Sequence, residues 1–226
     1  MPRFGRLFGG LDLTWKLLLA WFALSLGIFA VAGSIRIVEY EVVFVGLFGS
    51  LALLLRRSVR PALRRVKLDN VWEFAMLAVL VSSLEELVVY AVGGSGALAQ
   101  STLGVDLLWV DVIWLGWMLP WYLWLASRYA FSSQEALLVG GTAGILFEVL
   151  LSRIFVEGPV IILLWIPLVW VTYSVVLLLP LELTTFKAPP STARRWLAGV
   201  AIPWVSATCV ALLLWLILSV VGIPLK

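Results

Sequence analysis

The sequence predicts an all-α fold, a polytopic bundle of transmembrane helices. Three observations predict it: mean hydropathy is +1.09, hydrophobic residues make up 63% of the 226 residues, and charged residues make up only 13%. Soluble proteins average about 25% charged residues. We therefore expect a multi-pass protein of the cell membrane.

Seven stretches of the chain are apolar enough to cross a bilayer, which takes about 20 residues in a helix. The predicted spans are 15–34, 36–55, 71–92, 105–126, 136–156, 159–181 and 196–222. The connections between them are short, so residues 1–226 are predicted to form a single integral membrane domain. The first two spans, and the fifth and sixth, are predicted to be tight hairpins.

The basic residues predict the orientation of these spans. Cytoplasmic loops beside membrane spans carry an excess of Lys and Arg. With the N-terminus inside, only Arg36, Arg153 and Lys226 of the 16 basic residues fall outside, which leaves 13 inside. This distribution favours an odd number of spans, with the N-terminus inside and the C-terminus outside. It also explains the basic charge through contact with anionic lipid, so the bilayer is the predicted partner and nucleic acid is not.

Missing residue types exclude several kinds of site. The chain has no His, which excludes zinc and haem sites that need imidazole and catalysis by a histidine base. Its one cysteine, Cys209, excludes an intrachain disulfide and a cysteine-rich metal site. No cofactor and no metal are predicted. A single Asn and two Gln are compatible with a heat-adapted source.

Carboxylates inside the predicted spans are the main functional signal. A carboxylate at the centre of a transmembrane helix costs about 2.5 to 3.5 kcal/mol on insertion scales. At about 1.5 Å of rise per residue, Glu85 and Glu86 lie roughly 21 to 23 Å above the inner end of their span, Glu148 roughly 18 Å above its own, and Asp111 roughly 9 Å below the outer end. The four acids thus share one layer. In contrast, Glu41 is predicted to be solvated near the outer surface.

Helical spacing adds neighbours to these acids. Ser82, Glu86 and Tyr90 lie on one face of the third span, while Glu85 points about 100° away. The candidate ion- or substrate-binding residues are Glu85, Glu86, Tyr90, Asp111, Glu148, Ser152 and Arg153.

The fifth span combines small residues with its acid. Gly140 and Gly144 form a G-x-x-x-G spacing, which lets a neighbouring helix approach closely in lipid. Gly141, Gly144, Glu148 and Ser152 share one face by 3-4-4 spacing. Gly140, Gly141 and Gly144 are therefore predicted to pack against another helix, with Glu148 inside the bundle.

The segment LEELVVY around Glu85 and Glu86 resembles the first motif of the PrsW and CAAX-prenyl-protease-like glutamate-dependent intramembrane proteases. GGTAGILFE, which ends in Glu148, is similar to the second motif of the PrsW type. Val89 and Tyr90 stand where that group has a basic residue, and no His completes the site. The resemblance therefore implies a degenerate relative that binds rather than cleaves.

Three functions remain open at this point. The leading hypothesis is a buried carboxylate site, open toward the outer face, that binds or transports a proton, a cation or a small polar solute. The second is an accessory or scaffold subunit whose acidic residues pair with the helices of a membrane protein partner. The third is a degenerate protease-like protein. Buried carboxylates can also stabilise the bundle alone, by pairing with Arg153, Tyr90 and hydroxyl groups.

Overall fold

Seven helices make up the part of the chain that the structure, a computed structural model, describes: residues 13–51, 70–92, 103–121, 123, 133–151, 158–183 and 193–222. They are α1 (Leu13–Val31), α2 (Ile35–Glu41, continued as a π-helical segment, Val42–Gly49), α3 (Asn70–Ala91), α4 (Leu103–Trp121), α5 (Ser133–Leu151), α6 (Pro159–Leu183) and α7 (Ala193–Val221). These ranges contain no strand, so the predicted all-α class is confirmed.

Four of these helices are long and apolar enough to cross a membrane. These four helices are α1, α3, α6 and α7. Their candidate membrane spans are Leu13–Val31, Val71–Ala91, Pro159–Leu177 and Leu197–Val221. The apolar helices indicate a membrane protein. The remaining helices, α2, α4 and α5, coincide with the other three predicted spans, and the seven-span topology stays a prediction.

α6 lies at the centre of the bundle. It packs against α1, α2, α3 and α5, and α3, α4, α7, α5 and α6 contact one another in that order to form a closed ring. Half of the apolar stretch of α6 is buried inside the protein, whereas only 6% of the apolar stretch of α7 is buried. Side chains on α6 can therefore reach several helices at once, whereas most of α7 lies on the outside.

A glycine turn joins α1 to α2. Gly33 has a φ of 79°, a left-handed conformation that residues with a Cβ rarely adopt. The Ser34 amide donates to the Phe29 carbonyl at 2.9 Å, and the Gly33 amide donates to the Ala30 carbonyl at 3.1 Å. These two bonds form a Schellman motif, which ends a helix and reverses the chain. They explain the tight hairpin predicted for the first two spans.

Glycines bring α5 against α6. A Cβ added to Gly140 would collide with Leu177, one at Gly141 with Trp170, and one at Gly144 with the Tyr173 ring. Membrane helices associate through close packing of this kind, because lipid offers no hydrophobic drive for helix contact. The small-residue face of α5 is thus in direct contact with α6.

α2 changes geometry directly after its last polar residue. From Val42 to Gly49 the helix is π-helical, and its Gly49 lies against Val175 of α6. Segments of π-helix are rare and are found frequently at functional sites. The change begins immediately after Glu41, which therefore lies at the junction of the two helix types.

Candidate functional site

Two adjacent residues of α2 reach two different helices. Neighbouring residues on a helix point about 100° apart, so Tyr40 and Glu41 face different partners. The Tyr40 hydroxyl donates to Oε1 of Glu85 on α3 at 2.5 Å. The Thr172 hydroxyl of α6 donates to the Glu41 carboxylate, at 3.2 Å from Oε2 and 3.4 Å from Oε1. This pair therefore connects α2 with both α3 and α6.

The next residue of α6 reaches α5. The Tyr173 hydroxyl donates to Oε1 of Glu148 at 2.8 Å. The Tyr173 ring lies against Gly144 on one helix and against Trp114 on another, with the two ring centroids 4.7 Å apart and the ring planes at 42°. Thr172 and Tyr173 thus contact an acid on either side of α6, and the tyrosine ring is held between α4 and α5.

These contacts belong to one group, here called the carboxylate cluster. Its members are Tyr40, Glu41, Glu85, Glu86, Glu148, Thr172 and Tyr173. The Glu85 carboxyl interacts electrostatically with Glu41, with Glu86 and with Glu148. Glu85 is therefore the acid that interacts with each of the other three, and three hydroxyl groups from α2 and α6 donate hydrogen bonds to Glu41, Glu85 and Glu148.

Burial makes these hydroxyl donors necessary. Glu41 is 2% exposed and Glu86 is 6% exposed, and Tyr173 is also buried. A buried polar group that loses its hydrogen-bond partner costs about 1–3 kcal/mol, and more when it is charged. The hydroxyl–carboxylate bonds offset part of the cost of removing the carboxyl groups of Glu41, Glu85 and Glu148 from water.

Asp111 has different partners. It accepts hydrogen bonds from Ser82, at 2.5 Å to Oδ1, and from Ser83, at 2.9 Å to Oδ2. Both serines lie on α3, one turn before Glu85 and Glu86. Asp111 therefore joins α4 to α3 through two serine hydroxyls that are not members of the carboxylate cluster.

The structure brings together some of the predicted site residues. Glu85 and Glu148 each accept a hydrogen bond from a tyrosine of the cluster, Asp111 binds the two serines, and Tyr90 is half-buried one turn beyond Glu86. Ser152 and Arg153 lie outside the described residues. Both acids of the Glu85–Glu86 pair face the protein: Glu85 accepts a hydrogen bond from Tyr40, and Glu86 is buried.

The prediction that Glu41 is solvated is wrong. Its carboxylate is buried between α2 and α6, and it accepts from Thr172. Its position near the outer end of the predicted span indicated contact with solvent, but the packing of α2 on α6 covers this residue. Glu39, two residues earlier on another face of the same helix, is exposed.

Sequence reasoning also missed the hydroxyl donors Tyr40, Thr172 and Tyr173. A signal was present in α6, because Thr172, Tyr173 and Ser174 form a run of three polar residues within a long apolar helix. In α2 the signal was Tyr40 next to Glu41. Neither pattern specifies which helix the side chains face.

No family model, curated protein or solved structure matches the chain. The chemistry of the site must therefore be argued from its own geometry. Within the described ranges, no group of three His, Cys, Asp or Glu residues is placed to hold a metal ion. What the described residues do provide is a set of acids, three of which each accept a hydrogen bond from a hydroxyl group that can itself accept one.

Proposed function

We propose that the protein is a multi-pass protein of the cell membrane with seven spans, its N-terminus inside and its C-terminus outside. The seven helices of the structure coincide with the seven predicted spans, which supports the number. The excess of basic residues on one side supports the orientation.

Reporter fusions test this orientation. Alkaline phosphatase fused after Lys226 is expected to be active, because it folds only outside the cytoplasm, and a green fluorescent protein at the same position is expected to be dark. The same pair fused after Ser58, in the basic loop predicted to be inside, serves as the control with the opposite pattern. A fluorescent C-terminal fusion would overturn the proposed orientation.

The carboxylate cluster is proposed to bind protons and pass them across the membrane. One observation carries this function: three hydroxyl groups donate to three carboxyl groups, one buried and two half-buried, on helices that pack around α6. Acidic residues inside membrane spans are costly and commonly mark ion pathways and proton relays. A hydroxyl bonded to such an acid can both donate and accept a hydrogen bond, so it can take part in moving the proton.

The arrangement favours this function over an accessory role. A subunit whose acids pair with a partner's helices would carry them toward the outside of the bundle. Here Glu41, Glu85 and Glu148 are each bonded to a hydroxyl within the same chain. The protease-like function stays a prediction from the two motifs.

Proton flux into vesicles tests the proposal. Purified protein in liposomes is given an inward proton driving force, using a potassium gradient and valinomycin, and a trapped pH dye reports the flux. Wild-type protein is expected to acidify the vesicles faster than empty liposomes do. Glu148→Gln keeps the size of the side chain but removes its ionisable proton, and it is expected to lower the flux at least about tenfold.

Glu39→Gln is the matched control for this experiment. The same chemical change is made on an exposed residue of α2, so the flux is expected to equal that of wild type. Unchanged flux in Glu148→Gln would remove Glu148 from the path, and no flux in wild type would refute proton transport under these conditions.

A further inference from the structure

Asp111 lies at a contact between α3 and α4 that is separate from the carboxylate cluster. Both of its carboxyl oxygens are bonded to α3: Oδ1 is 2.5 Å from the Ser82 hydroxyl, and Oδ2 is 2.9 Å from the Ser83 hydroxyl. Ser82 is fully buried. Residues three or four apart share one side of a helix, so both serines lie one turn from Glu86. The Asp111 carboxyl group is therefore held next to an acid of the cluster.

The Ser82 hydroxyl has two acceptors within reach but only one hydrogen. Besides Oδ1 of Asp111, the carbonyl oxygen of Val79 lies 3.1 Å from the hydroxyl oxygen. A serine hydroxyl donates one hydrogen bond and can also accept. It can donate to Asp111, or it can donate to Val79 and accept a bond from Asp111. The first arrangement suits an ionised Asp111, and the second requires a hydrogen on Oδ1.

On the described helices that pack around Asp111, no positive charge is placed beside its carboxyl group. α3 and α4 contain no Lys or Arg. α7 packs on α4 where Val210 lies against Gly116, and its two arginines, Arg194 and Arg195, are at least about 22 Å along that helix from Val210. The other ionisable residues of these three helices are Glu73, Glu85, Glu86, Tyr90, Asp106 and Cys209. On α6, Tyr173 packs on Trp114 of α4. A charge removed from water is costly unless it is paired, and a proton is the cation that can neutralise this carboxyl group without a basic side chain.

We infer that Asp111 is a second proton-binding site, and that the Ser82 hydroxyl keeps it hydrogen-bonded both with and without the proton. This inference rests on the proposed proton-transport function. It adds a site one turn from Glu86 toward the start of α3, which in the proposed orientation is the direction of the cytoplasm.

Only one covalent bond changes when the site takes up a proton. An O–H bond forms between the incoming proton and Oδ1, and the carboxylate becomes a neutral carboxylic acid. The O–H bond of Ser82 stays intact: its hydrogen turns from Oδ1 to the Val79 carbonyl, and its oxygen accepts the new hydrogen bond from Asp111. Ser83 donates to Oδ2 in both forms. Release of the proton reverses these steps, and no electron is transferred.

Asp111→Asn tests whether proton flux needs this site. Asparagine keeps the size of the side chain and can bond to both serines through its oxygen and its amide hydrogens, but it cannot bind a proton in their place. Flux per folded protein is expected to fall at least about tenfold, as is typical when a group that takes part in proton transfer is lost. Unfolding is expected at the same concentration of sodium dodecyl sulfate as in wild type, because the contact between α3 and α4 is kept.

The outcomes separate this inference from the function on which it rests. Flux equal to wild type in Asp111→Asn, together with loss of flux in Glu148→Gln, would overturn the inference while the proposed function stands. Absence of flux in wild type would instead refute the proposed function itself.

Infrared absorption separates proton binding from a purely structural role. A carboxylic acid band that Asp111→Asn lacks is expected in wild type at the acidic end of the pH range in which flux is observed, and it is expected to disappear at the alkaline end. In Ser82→Ala that band is expected at higher frequency, because the hydroxyl that accepts its hydrogen bond is gone. Ser206→Ala is the matched control, since Ser206 also donates to a carbonyl three residues earlier, that of Pro203 at 3.0 Å.

Isotope labelling keeps the test valid if Asp111→Asn fails to fold. Aspartate with a heavy carbon isotope in its side-chain carboxyl group is incorporated into otherwise wild-type protein, so that acid bands of aspartate are recognised by their lower frequency. One such band is expected to change over the pH range of the flux and to shift in Ser82→Ala. Absence of any aspartate acid band throughout that range, or a band that Ser82→Ala leaves unchanged, would contradict the inference.

Discussion

Gly144→Val is expected to be the most destabilising single substitution considered for this protein. Any Cβ at Gly144 collides with atoms of the Tyr173 ring, and the ring cannot retreat because Trp114 packs against it. Overpacking of a rigid site costs about 1–3 kcal/mol, and the cost here is expected to be about 3 kcal/mol because both helices must separate. The same separation would move the Tyr173 hydroxyl away from Glu148, so proton flux should be lost as well.

Gly27→Val is the control for this prediction. Gly27 lies on α1, and a Cβ added there meets no atom within 4 Å. The free energy of unfolding, measured by titration with sodium dodecyl sulfate, is expected to stay within about 0.5 kcal/mol of wild type. Similar stability of the two variants would mean that α5 does not pack on α6 at Gly144.

Thr172→Val is expected to have the second largest effect on stability. Valine keeps the shape of threonine but removes the hydroxyl that donates to Glu41, which is 2% exposed. Loss of the donor to a buried acceptor costs about 1–3 kcal/mol. Adding Glu41→Met should recover most of this loss, because replacing both members of a buried polar pair by apolar groups is often neutral or stabilising.

The four proteins of this double-mutant cycle are compared by the same denaturant titration. A coupling of at least about 0.5 kcal/mol between the two substitutions is expected for residues in contact. Thr208→Val is the control, since the Thr208 hydroxyl donates to the Trp204 carbonyl of its own helix at 2.8 Å and has no part in the cluster. Additive effects of Thr172→Val and Glu41→Met would contradict the bond between α2 and α6.

Local periodicity made part of the site predictable. Gly141, Gly144 and Glu148 share a helix face because of residue spacing alone, and the structure places those two glycines and that acid against α6. The positions of the helices also followed from runs of apolar residues. Such features depend on neighbours within one helix, which the sequence displays directly.

Contacts between helices distant in sequence were not predictable in the same way. Asp111 is predicted to share a depth with Glu85, Glu86 and Glu148, but its partners are Ser82 and Ser83. Depth says nothing about the direction in which a side chain points around the bundle. Glu41 was assigned to the surface for the same reason, because only the packing of α2 on α6 buries it.

Two pairs of residues that are adjacent in the sequence, Tyr40–Glu41 and Thr172–Tyr173, explain how a few side chains join four helices. Tyr40 and Glu41 diverge from α2 toward α3 and α6, while Thr172 and Tyr173 diverge from α6 toward α2 and α5. Each pair uses the angle of about 100° between adjacent helical residues. Together they link α2, α3, α5 and α6 through polar side chains inside an otherwise apolar bundle.

The central claim is that the carboxylate cluster carries protons across the membrane. Its most direct test is to measure proton flux through a variant in which the cluster's acids on α3 and α5 are replaced by glutamine. Wild type and the triple variant Glu85→Gln, Glu86→Gln, Glu148→Gln are reconstituted in equal folded amounts beside empty liposomes. Proton transport through the cluster predicts dye-reported flux in wild type and a rate equal to that of empty liposomes in the triple variant. Equal flux in the two proteins would contradict the claim that these carboxyl groups carry the proton.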